Sequence, residues 1–383
     1  MKIAKRTDVI APFYVMELLE KAKEMEAKGK NIVHMEVGEP DFPTPSLIKE
    51  EGVRSISEDR TFYTHSLGLP ELRKRISQHY WETDGMVVPP ERIIVTNGTS
   101  GALLLLFCAL LERGRSLGIS DPGYPCYKNI ASLLDCEILP IPVSEGTGFE
   151  VTQGHLGSLS CCPDLLVLAN PSNPTGTVYG EGTLSGLYES LAMEDKLLIV
   201  DEIYLGLTYG RKPRSALAIS DNIIVVNGFS KTYAMTGWRL GWMVVPRELV
   251  RPVQKFAQNL FISPPSISQY AAVRAFDDAE GLARMRKTYE ERRDFLVPRL
   301  KGLGFNVPIR PEGAFYVYAG IERWGIDSMA FVERALEEAG VAFTPGYDFG
   351  SFRAGSHVRF SYATGMGRLK EGCDRLEAWL TGL

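Results

Sequence analysis

The chain has 383 residues, of which 45% are hydrophobic and 23% are charged, and its formal net charge is −5 at pH 7. This length allows two or three domains with a substantial core, and the composition is that of a folded globular protein. The slight acidic excess, without a block of like charges, argues against a nucleic-acid-binding protein.

The sequence carries no pattern typical of export or of a membrane protein. The N-terminal residues MKIAKRTDVIAPF lack the apolar core of a signal peptide. The longest apolar run, Ala102–Leu111, is too short to cross a bilayer and predicts a buried helix. The six cysteines include no CxxC pair, so neither a metal site nor a disulfide framework is expected. We therefore expect a cytoplasmic protein with reduced thiols and without a membrane or nucleic-acid partner.

Helices and one rigid loop are predicted for the first 90 residues. Apolar residues at helical spacing predict an amphipathic helix in Ala11–Lys30, preceded by an N-terminal arm. The segment VGEPDFPTP, Val37–Pro45, contains three prolines and a glycine and predicts a rigid loop. Further helices are expected over Ser46–Ser57 and from Pro70 onward, because proline is tolerated in a first helical turn. Tyr63 lies in the loop before Pro70.

From Arg92 onward, short apolar strands alternate with helical stretches. This alternation predicts a mostly parallel sheet with helices on both faces. The strands are expected at Ile93–Val95, Leu165–Leu168, Leu197–Val200, Ile223–Val226 and Trp242–Val245.

The C-terminal third predicts a smaller α+β region. A long charged amphipathic helix is expected over Glu280–Leu303. Strands near Ala314–Tyr318 and His357–Tyr362 and a helix over Arg368–Leu380 follow it. We predict a second domain that packs against the first and is joined by the early helix.

The segment Asn227–Gly241, NGFSKTYAMTGWRLG, places an amine, a hydroxyl and a guanidinium after a predicted buried strand. Ligands of open α/β sheets bind outside the carboxyl ends of the strands. A single lysine at such a place is usually a solvated surface residue, but the neighbours of Lys231 favour a functional site. Ser230 offers a hydroxyl, and the planar fork of Arg239 suits a phosphate.

A glycine- and hydroxyl-rich turn follows the predicted strand that ends at Val95. In TNGTSGAL, Thr96–Leu103, the free amides of a helix N-terminus together with Gly98, Thr99 and Ser100 suit an anion. Plain N-capping of the helix explains the same residues equally well.

Two further strands are followed by polar side chains. Asn173 lies between Pro171 and Pro174, which hold its amide in one direction, although a turn alone accounts for this pattern. Asp201 and Tyr204 in VDEIY follow the next strand, where capping and packing are the simpler explanations. Adjacent parallel strands would nevertheless bring a carboxylate, a phenol and the amine of Lys231 together.

These groups fit the cofactor pyridoxal phosphate. Its aldehyde needs a lysine for a Schiff base, its ring nitrogen needs a carboxylate, and its phosphate needs an anion site. Lys231 would form the Schiff base and Asp201 would pair with the ring nitrogen. Tyr204 and Asn173 would hydrogen-bond the phenolic oxygen. The phosphate would be held by Thr99, Ser100, Ser230 and Arg239.

Four segments in this order resemble the class I and II aminotransferases of the aspartate aminotransferase superfamily: VGEPDFPTP, NPSNPTG, DEIY and SKTYAMTGWRLG. The resemblance covers nearly the whole chain. It implies fold type I, an α/β architecture with a mostly parallel seven-stranded sheet between helices and a smaller α+β domain, in a homodimer. The domains would be an N-terminal arm and helix joining the small domain (1–44), a large cofactor-binding domain (45–285) and the small C-terminal domain (286–383).

The resemblance also implies roles for residues outside these segments. Tyr124 in DPGYPCY would stack on the cofactor ring, and Tyr63 would reach the phosphate in the partner subunit's site. Arg359 in HVRFSYA would bind the substrate α-carboxylate, with Gly38 and Asn173 beside it. Packed aromatics and a structural charge are the alternatives for the two tyrosines and the arginine.

The expected activity is transfer of an amino group from an α-amino acid to a 2-oxo acid, with ping-pong kinetics and with 2-oxoglutarate as the acceptor. No motif supplies a second arginine for an acidic side chain, which favours a neutral or broad donor. Phe13 and Tyr14 would line an apolar pocket or pack as contacts of the arm. Gly228 replaces a serine that often touches the phosphate. The alternatives are a β-eliminating lyase for cysteine-type substrates and, more remotely, the ligand-sensing domain of a transcription regulator.

Overall fold

The structure is a computed structural model that describes residues 1–382. The helices are α1 Tyr14–Ala27, α2 Ser46–Ser57, α3 Pro70–Asp84, α4 Gly98–Leu110, α5 Cys126–Ser132, α6 Gln153–Ser158, α7 Glu181–Ala192, α8 Arg247–Leu260, α9 Ser266–Val273, α10 Ala279–Gly302, α11 Ser328–Arg334 and α12 Met366–Leu380. The strands are β1 Val33–His34, β2 Ile93–Thr96, β3 Ser116–Asp121, β4 Glu137–Pro142, β5 Leu165–Ala169, β6 Leu197–Asp201, β7 Ile224–Gly228, β8 Gly241–Val244, β9 Tyr316–Gly320, β10 Val341–Ala342, β11 Thr344–Pro345 and β12 His357–Ser361. No helix within residues 1–382 is both long and apolar enough to cross a membrane.

Seven strands form one sheet in the order β2-β8-β7-β6-β5-β3-β4. Strands β3 to β7 pair in parallel, and β8 is antiparallel to both of its neighbours. The apolar residues of β5 alternate between two cores, with Leu165 and Val167 in one and Leu166 and Leu168 in the other. Burial of both faces explains why this strand reads as a continuous apolar run. The predicted mostly parallel seven-stranded sheet is confirmed.

Strands β3 and β4 were not recognisable from their residues. β3 reads SLGISD and contains a glycine at its centre, where a Cβ on Gly118 would lie 2.8 Å from Pro163 Cγ. Close packing therefore requires a residue with low strand propensity. β4 contains Pro140 and Pro142 and lies at the edge of the sheet, where a missing backbone donor is tolerated.

The smaller region is built from both parts of the chain. An antiparallel sheet in the order β11-β12-β9 lies beside the parallel pair β1 and β10, in which Val33 pairs with Val341. Helix α1 contributes Leu18 and Ala22 to the same core as Phe360 of β12. The proposed boundaries after residues 44 and 285 stay predictions, and the second of them falls inside α10.

Asp121 connects the large sheet to a loop of the C-terminal region. It ends β3 and is buried, and its carboxylate accepts hydrogen bonds from the amides of Ser351 and Phe352 at 3.1–3.2 Å. The hydroxyl of Ser351 donates to Asp121 Oδ2 at 3.0 Å. Hydrogen bonds to a charged acceptor are stronger than those between neutral groups. This carboxylate therefore fixes the loop 351–352 over the end of the sheet.

We expect Asp121→Ala to lower the free energy of unfolding by about 1 to 2 kcal/mol, because these donors lose their charged acceptor. Denaturant titration of both proteins measures the difference. Glu137→Ala, which removes an exposed carboxylate from neighbouring β4, serves as the control and should leave stability within about 0.5 kcal/mol. Equal stability of the two variants would contradict the role of Asp121.

Candidate active site

A cavity of about 190 Å³ lies at the carboxyl ends of the parallel strands. It brings together residues that are far apart in the sequence. Those predicted for the site are Gly38, Thr99, Tyr124, Asn173, Asp201, Tyr204, Lys231 and Arg359. The remaining lining residues are Phe13, Val15, Met16, Val37, Tyr127, Ala169, Ile203 and Tyr316.

Lys231 follows β7 by three residues and turns its amine into the cavity. Its Nζ donates a hydrogen bond to the carbonyl of Gly38 at 2.5 Å, which ties the proline-rich loop to the end of the sheet. Burial lowers the pKa of Lys231 to about 8, although the charge of Glu39 acts in the opposite direction. A larger fraction of this amine is therefore unprotonated at neutral pH than in a solvated lysine.

Asp201 ends β6 and is 2% exposed. Its Oδ2 accepts a hydrogen bond from the Tyr127 hydroxyl at 2.9 Å, and Oδ1 accepts one from the Ile203 amide at 3.1 Å. Burial raises the pKa of Asp201 to about 6, while these two donors and Lys231 lower it. Both hydrogen-bond donors to the Asp201 carboxylate are therefore neutral, and the carboxylate lies in a cavity that can admit a cation.

Tyr127 was missed in the sequence, although it lies in the same segment as Tyr124. The two rings pack edge to face, with centroids 5.4 Å apart. Tyr127 lies in the first turn of α5, and its amide donates to the carbonyl of Tyr124, two residues before the helix, at 3.3 Å. Its place in the sequence close to Tyr124 is the signal that would have found it.

Tyr204 contacts a second tyrosine, Tyr316, which no motif in the sequence identifies. Its hydroxyl lies 2.7 Å from that of Tyr316 on β9, and both side chains are buried. Burial raises the pKa of Tyr204 well above its usual value, so the phenol stays protonated. Tyr316 also lies beneath Arg359, whose guanidinium carbon is 4.2 Å from the ring centroid.

Arg359 on β12 is 4% exposed, and its hydrogen-bond partners are neutral oxygens. It donates to Asn173 Oδ1 at 2.9 Å and to the carbonyl of Glu36 at 2.6 Å. Its Nε is buried without a partner. The rings of Tyr316 and Phe349 pack against the guanidinium, which is therefore held in one orientation and keeps capacity for an anion.

Three of the residues predicted to hold a phosphate, Gly98, Thr99 and Arg239, lie close together at or beside this cavity. Gly98, the first residue of α4, has φ +70°, and a Cβ there would lie 2.9 Å from Arg239 Nη2. Only glycine allows the guanidinium to approach this helix N-terminus so closely. Thr99 lines the cavity itself, whereas Ser100, Ser230 and Arg239 lie outside its lining.

Gly228 and Tyr63 are the two remaining sequence questions. A Cβ on Gly228 would lie 3.0 Å from Ile203 Cδ1 and 3.3 Å from the Gly241 backbone, so packing favours glycine there. Tyr63 is 78% exposed and lies outside the cavity. Its predicted contact with the partner's site stays a prediction.

The residues present fit pyridoxal phosphate. The cavity offers an amine for its aldehyde, a buried carboxylate without a cationic hydrogen-bond partner for its ring nitrogen, and an adjoining helix N-terminus with an arginine for its phosphate. The sheet and this arrangement together define an α/β enzyme of the pyridoxal-phosphate-dependent class.

The chain belongs to the aminotransferase class I and II family, whose model matches residues 30–376. It is 38% identical over 384 residues to the valine–pyruvate aminotransferase of Mycobacterium tuberculosis, covering 99% of this chain and 98% of that relative. It is 37% identical to the (5-formylfuran-3-yl)methyl phosphate transaminase of Methanocaldococcus jannaschii, with 99% of each chain covered. The crystal structure of an aminotransferase from Mycobacterium tuberculosis superimposes with a TM-score of 0.96 at 37% identity over 100% of both chains. The predicted family, fold type I and dependence on pyridoxal phosphate are confirmed.

We expect Tyr127→Phe to lower kcat roughly 10-fold at pH 6 and less at pH 8. The variant loses a hydrogen bond that lowers the pKa of Asp201, so the carboxyl becomes protonated at higher pH and the acid limb of the rate profile moves upward. A profile of kcat from pH 5.5 to 9 measures the shift.

Tyr179→Phe is the matched control for this experiment, because it removes another buried hydroxyl, bonded to the amide of Val151 and outside the cavity. It should leave the profile unchanged. The same ratio of kcat at pH 6 and pH 8 in Tyr127→Phe and wild type would show that Tyr127 does not act through Asp201.

Proposed function

We propose that this aminotransferase transfers the amino group of an apolar α-amino acid to a 2-oxo acid with ping-pong kinetics. The observation that carries the proposal is the lining of the cavity. It combines the guanidinium of Arg359 with apolar side chains from the N-terminal arm and the proline-rich loop, namely Phe13, Val15, Met16 and Val37. Of the two arm residues considered for an apolar pocket, Phe13 lines the cavity and Tyr14 does not.

The substrate α-carboxylate would bind Arg359. The guanidinium is buried and its hydrogen-bond partners are neutral, so an incoming carboxylate would be its first charged hydrogen-bond acceptor. Asn173 fixes the guanidinium through Oδ1 and keeps its amide group for the cofactor. The backbone carbonyl of Gly38 accepts a hydrogen bond from the amine of Lys231.

An apolar donor side chain is supported by what the cavity lining contains. Arg359 is the one guanidinium that residues 1–382 contribute to the lining, so a second carboxylate would find no arginine of this chain there. Burial of an unpaired carboxylate is costly, whereas an aliphatic side chain gains from contact with Phe13 and Val15. The similar Mycobacterium tuberculosis protein is named for valine and pyruvate.

Two acceptors follow from different considerations. 2-Oxoglutarate is the acceptor expected from the sequence analysis, and its second carboxylate would need a cation from outside the described lining. Pyruvate has a single carboxylate, which Arg359 alone would bind. In either case donor and acceptor use the same guanidinium in turn, which is why we propose ping-pong kinetics.

Pyridoxal phosphate, when bound, supplies an aldehyde that receives the amino group and a ring that withdraws electrons from the reacting carbon. Asp201 would hold the ring nitrogen, Tyr204 and Asn173 the phenolic oxygen, and Tyr124 the ring face. The phosphate would contact Thr99, Ser100, Ser230 and Arg239, together with the partner subunit's Tyr63 in a homodimer.

Lys231 would move the proton at the α-carbon. Its Nζ lies in the cavity, and its lowered pKa leaves part of the amine unprotonated at neutral pH, as a general base requires. Nζ donates to the carbonyl of Gly38, and Gly38 lies against the hydroxyl of Tyr316, whose ring packs on Arg359. A substrate bound by its carboxylate would thus present its α-carbon to this amine.

The test of the function is the absorbance of the cofactor-loaded protein as amino acids are added one at a time. We expect valine, leucine and alanine to bleach the cofactor band, and pyruvate or 2-oxoglutarate to restore it. Lys231→Ala should bind cofactor but lose roughly a thousand-fold or more in turnover, because the proton acceptor is absent. Lys49→Ala, an exposed lysine, is the control. Bleaching by aspartate alone would contradict the apolar donor, and pyruvate release without an acceptor would indicate a lyase.

We expect Arg359→Lys to raise KM for both donor and acceptor roughly 10- to 100-fold, with a smaller change in kcat. Lysine keeps the charge but loses the planar fork that Asn173 and the Glu36 carbonyl orient. Arg353→Lys is the matched control, because Arg353 is an exposed arginine that pairs with Glu145 and Glu322. A normal KM for both substrates in Arg359→Lys would place the carboxylate site elsewhere.

A further inference from the structure

Asp348 is a buried carboxylate outside the cavity that the proposed chemistry does not use. It lies in a turn, Gly346–Asp348, that follows β11 and is 3% exposed. Its Oδ1 accepts a hydrogen bond from the amide of Tyr14 at 2.9 Å, and its Oδ2 is buried without a partner. A carboxylate from the C-terminal region therefore binds the N-terminal arm.

The contact falls at the first residue of α1. Phe13 occupies the N-cap position and has no side-chain acceptor for the free amides of the first turn. Asp348, 334 residues further along the chain, fills this role. Within residues 1–382, no hydrogen bond other than those to Asp348 joins residues 9–16 to a segment outside the arm and its helix.

The neighbours of Tyr14 are the apolar residues of the arm that line the cavity. We call Phe13, Val15 and Met16 the arm wall. Because Tyr14 lies between Phe13 and Val15 in the chain, fixing its amide fixes the position of the arm wall. The residue after Asp348, Phe349, packs against Arg359 with 4.8 Å between its ring centroid and the guanidinium carbon. One turn thus supports both the carboxylate site and the arm wall.

We propose that Asp348 is a positioning residue that holds the arm wall against the substrate side chain and thereby sets the preference for donors with larger apolar side chains. This inference rests on the proposed function of the cavity. A negative charge at a helix N-terminus is stabilised by the helix dipole, and its hydrogen bond to the amide is charge-assisted.

The ionisation of Asp348 agrees with this role. Burial raises the pKa of Asp348 to about 6, while Arg359, the amides of Tyr14 and Val15, and Lys128 lower it. The carboxylate is therefore charged at pH 8, where its bond to the arm is strongest.

An electrostatic effect on Arg359 is the competing explanation. The charge of Asp348 would then weaken or strengthen carboxylate binding equally for every amino acid. A positioning role through the arm wall depends instead on the size of the donor side chain. A comparison of alanine, whose side chain is a single methyl group, with valine and leucine therefore distinguishes the two explanations.

The experiment compares Asp348→Ala and Asp348→Asn in the cofactor-loaded enzyme at pH 8, with kcat and KM measured for alanine, valine and leucine. We expect Asp348→Ala to raise KM for valine and leucine about 10-fold, the effect of one lost charge-assisted hydrogen bond, and to change KM for alanine and all kcat values less than about 2-fold. Asp348→Asn keeps the Oδ1 acceptor and should restore most of the preference. Asp278→Ala removes the N-cap of α10, which accepts from the Gly281 amide at 2.9 Å, and should change neither value.

A second pair of variants tests the same bond from the other side. Tyr14→Pro deletes the amide that Asp348 binds, while proline is well accepted at the first position of a helix. Tyr14→Ala removes the ring and keeps the amide. We expect Tyr14→Pro to reproduce the loss of preference seen in Asp348→Ala, and Tyr14→Ala to resemble wild type. If Asp348→Ala does not fold, Tyr14→Pro and Tyr14→Ala still test whether the bond to Asp348 sets the donor preference.

Hydrogen exchange measured by mass spectrometry provides a readout that is independent of turnover. We expect faster exchange of the amides in Tyr14–Glu17 in Asp348→Ala, with unchanged exchange in α12. An equal rise of KM for alanine and valine, or unchanged exchange in the arm, would overturn the proposal. If the wild type accepts no apolar donor, the proposed function fails, and the exchange experiment still determines whether Asp348 anchors the arm.

Discussion

The removal of an amine and a carboxylate from water at one edge of the sheet is the constraint on which the rest of the site depends. Burial moves the pKa of Lys231 down and that of Asp201 up, so both charged forms are less favourable than in solution. Neutral dipoles compensate in part: the Gly38 carbonyl for the amine, and the Tyr127 hydroxyl with the Ile203 amide for the carboxylate. These dipoles come from separate elements, so the register of the sheet, α5 and the proline-rich loop must all be correct together.

The sequence allowed the centre of this site to be predicted, because its residues follow apolar strands whose pattern is local. Asp201 and Lys231 each stand at or just after a buried strand of a parallel sheet, where side chains meet. Tyr316 was not predictable in this way. It contacts Tyr204 across 112 residues, and in its own strand it resembles the other buried aromatics of the small region. Strand β3 was missed for the opposite reason, since Gly118 satisfies a packing contact that weakens the local signal.

Arg359 shows how a pattern can identify a residue without revealing its environment. Its place in an alternating strand is predictable from the sequence. The two rings that enclose its guanidinium, Tyr316 of β9 and Phe349 in the turn before Ser351, are not. The same holds for Asp348, whose partner is a backbone amide and so leaves no trace in the side chains of α1. Contacts to backbone groups depend on the path of the chain, and that path is set by the whole core. Tyr63 is exposed in the single chain, and its contact with a second subunit stays a prediction.

The pairing of β1 with β10 has a consequence for the order in which the protein matures. Arg359 donates to the carbonyl of Glu36, 323 residues earlier, and Val33 pairs with Val341. During synthesis on a ribosome, the segment that contains Val33 and Glu36 emerges long before the segments with which it pairs. Its apolar residues therefore remain unpaired until those segments have been made. Closure of so large a loop is entropically slow. The surroundings of Arg359 are therefore expected to be among the last parts of the molecule to assemble, after the final strand has been released.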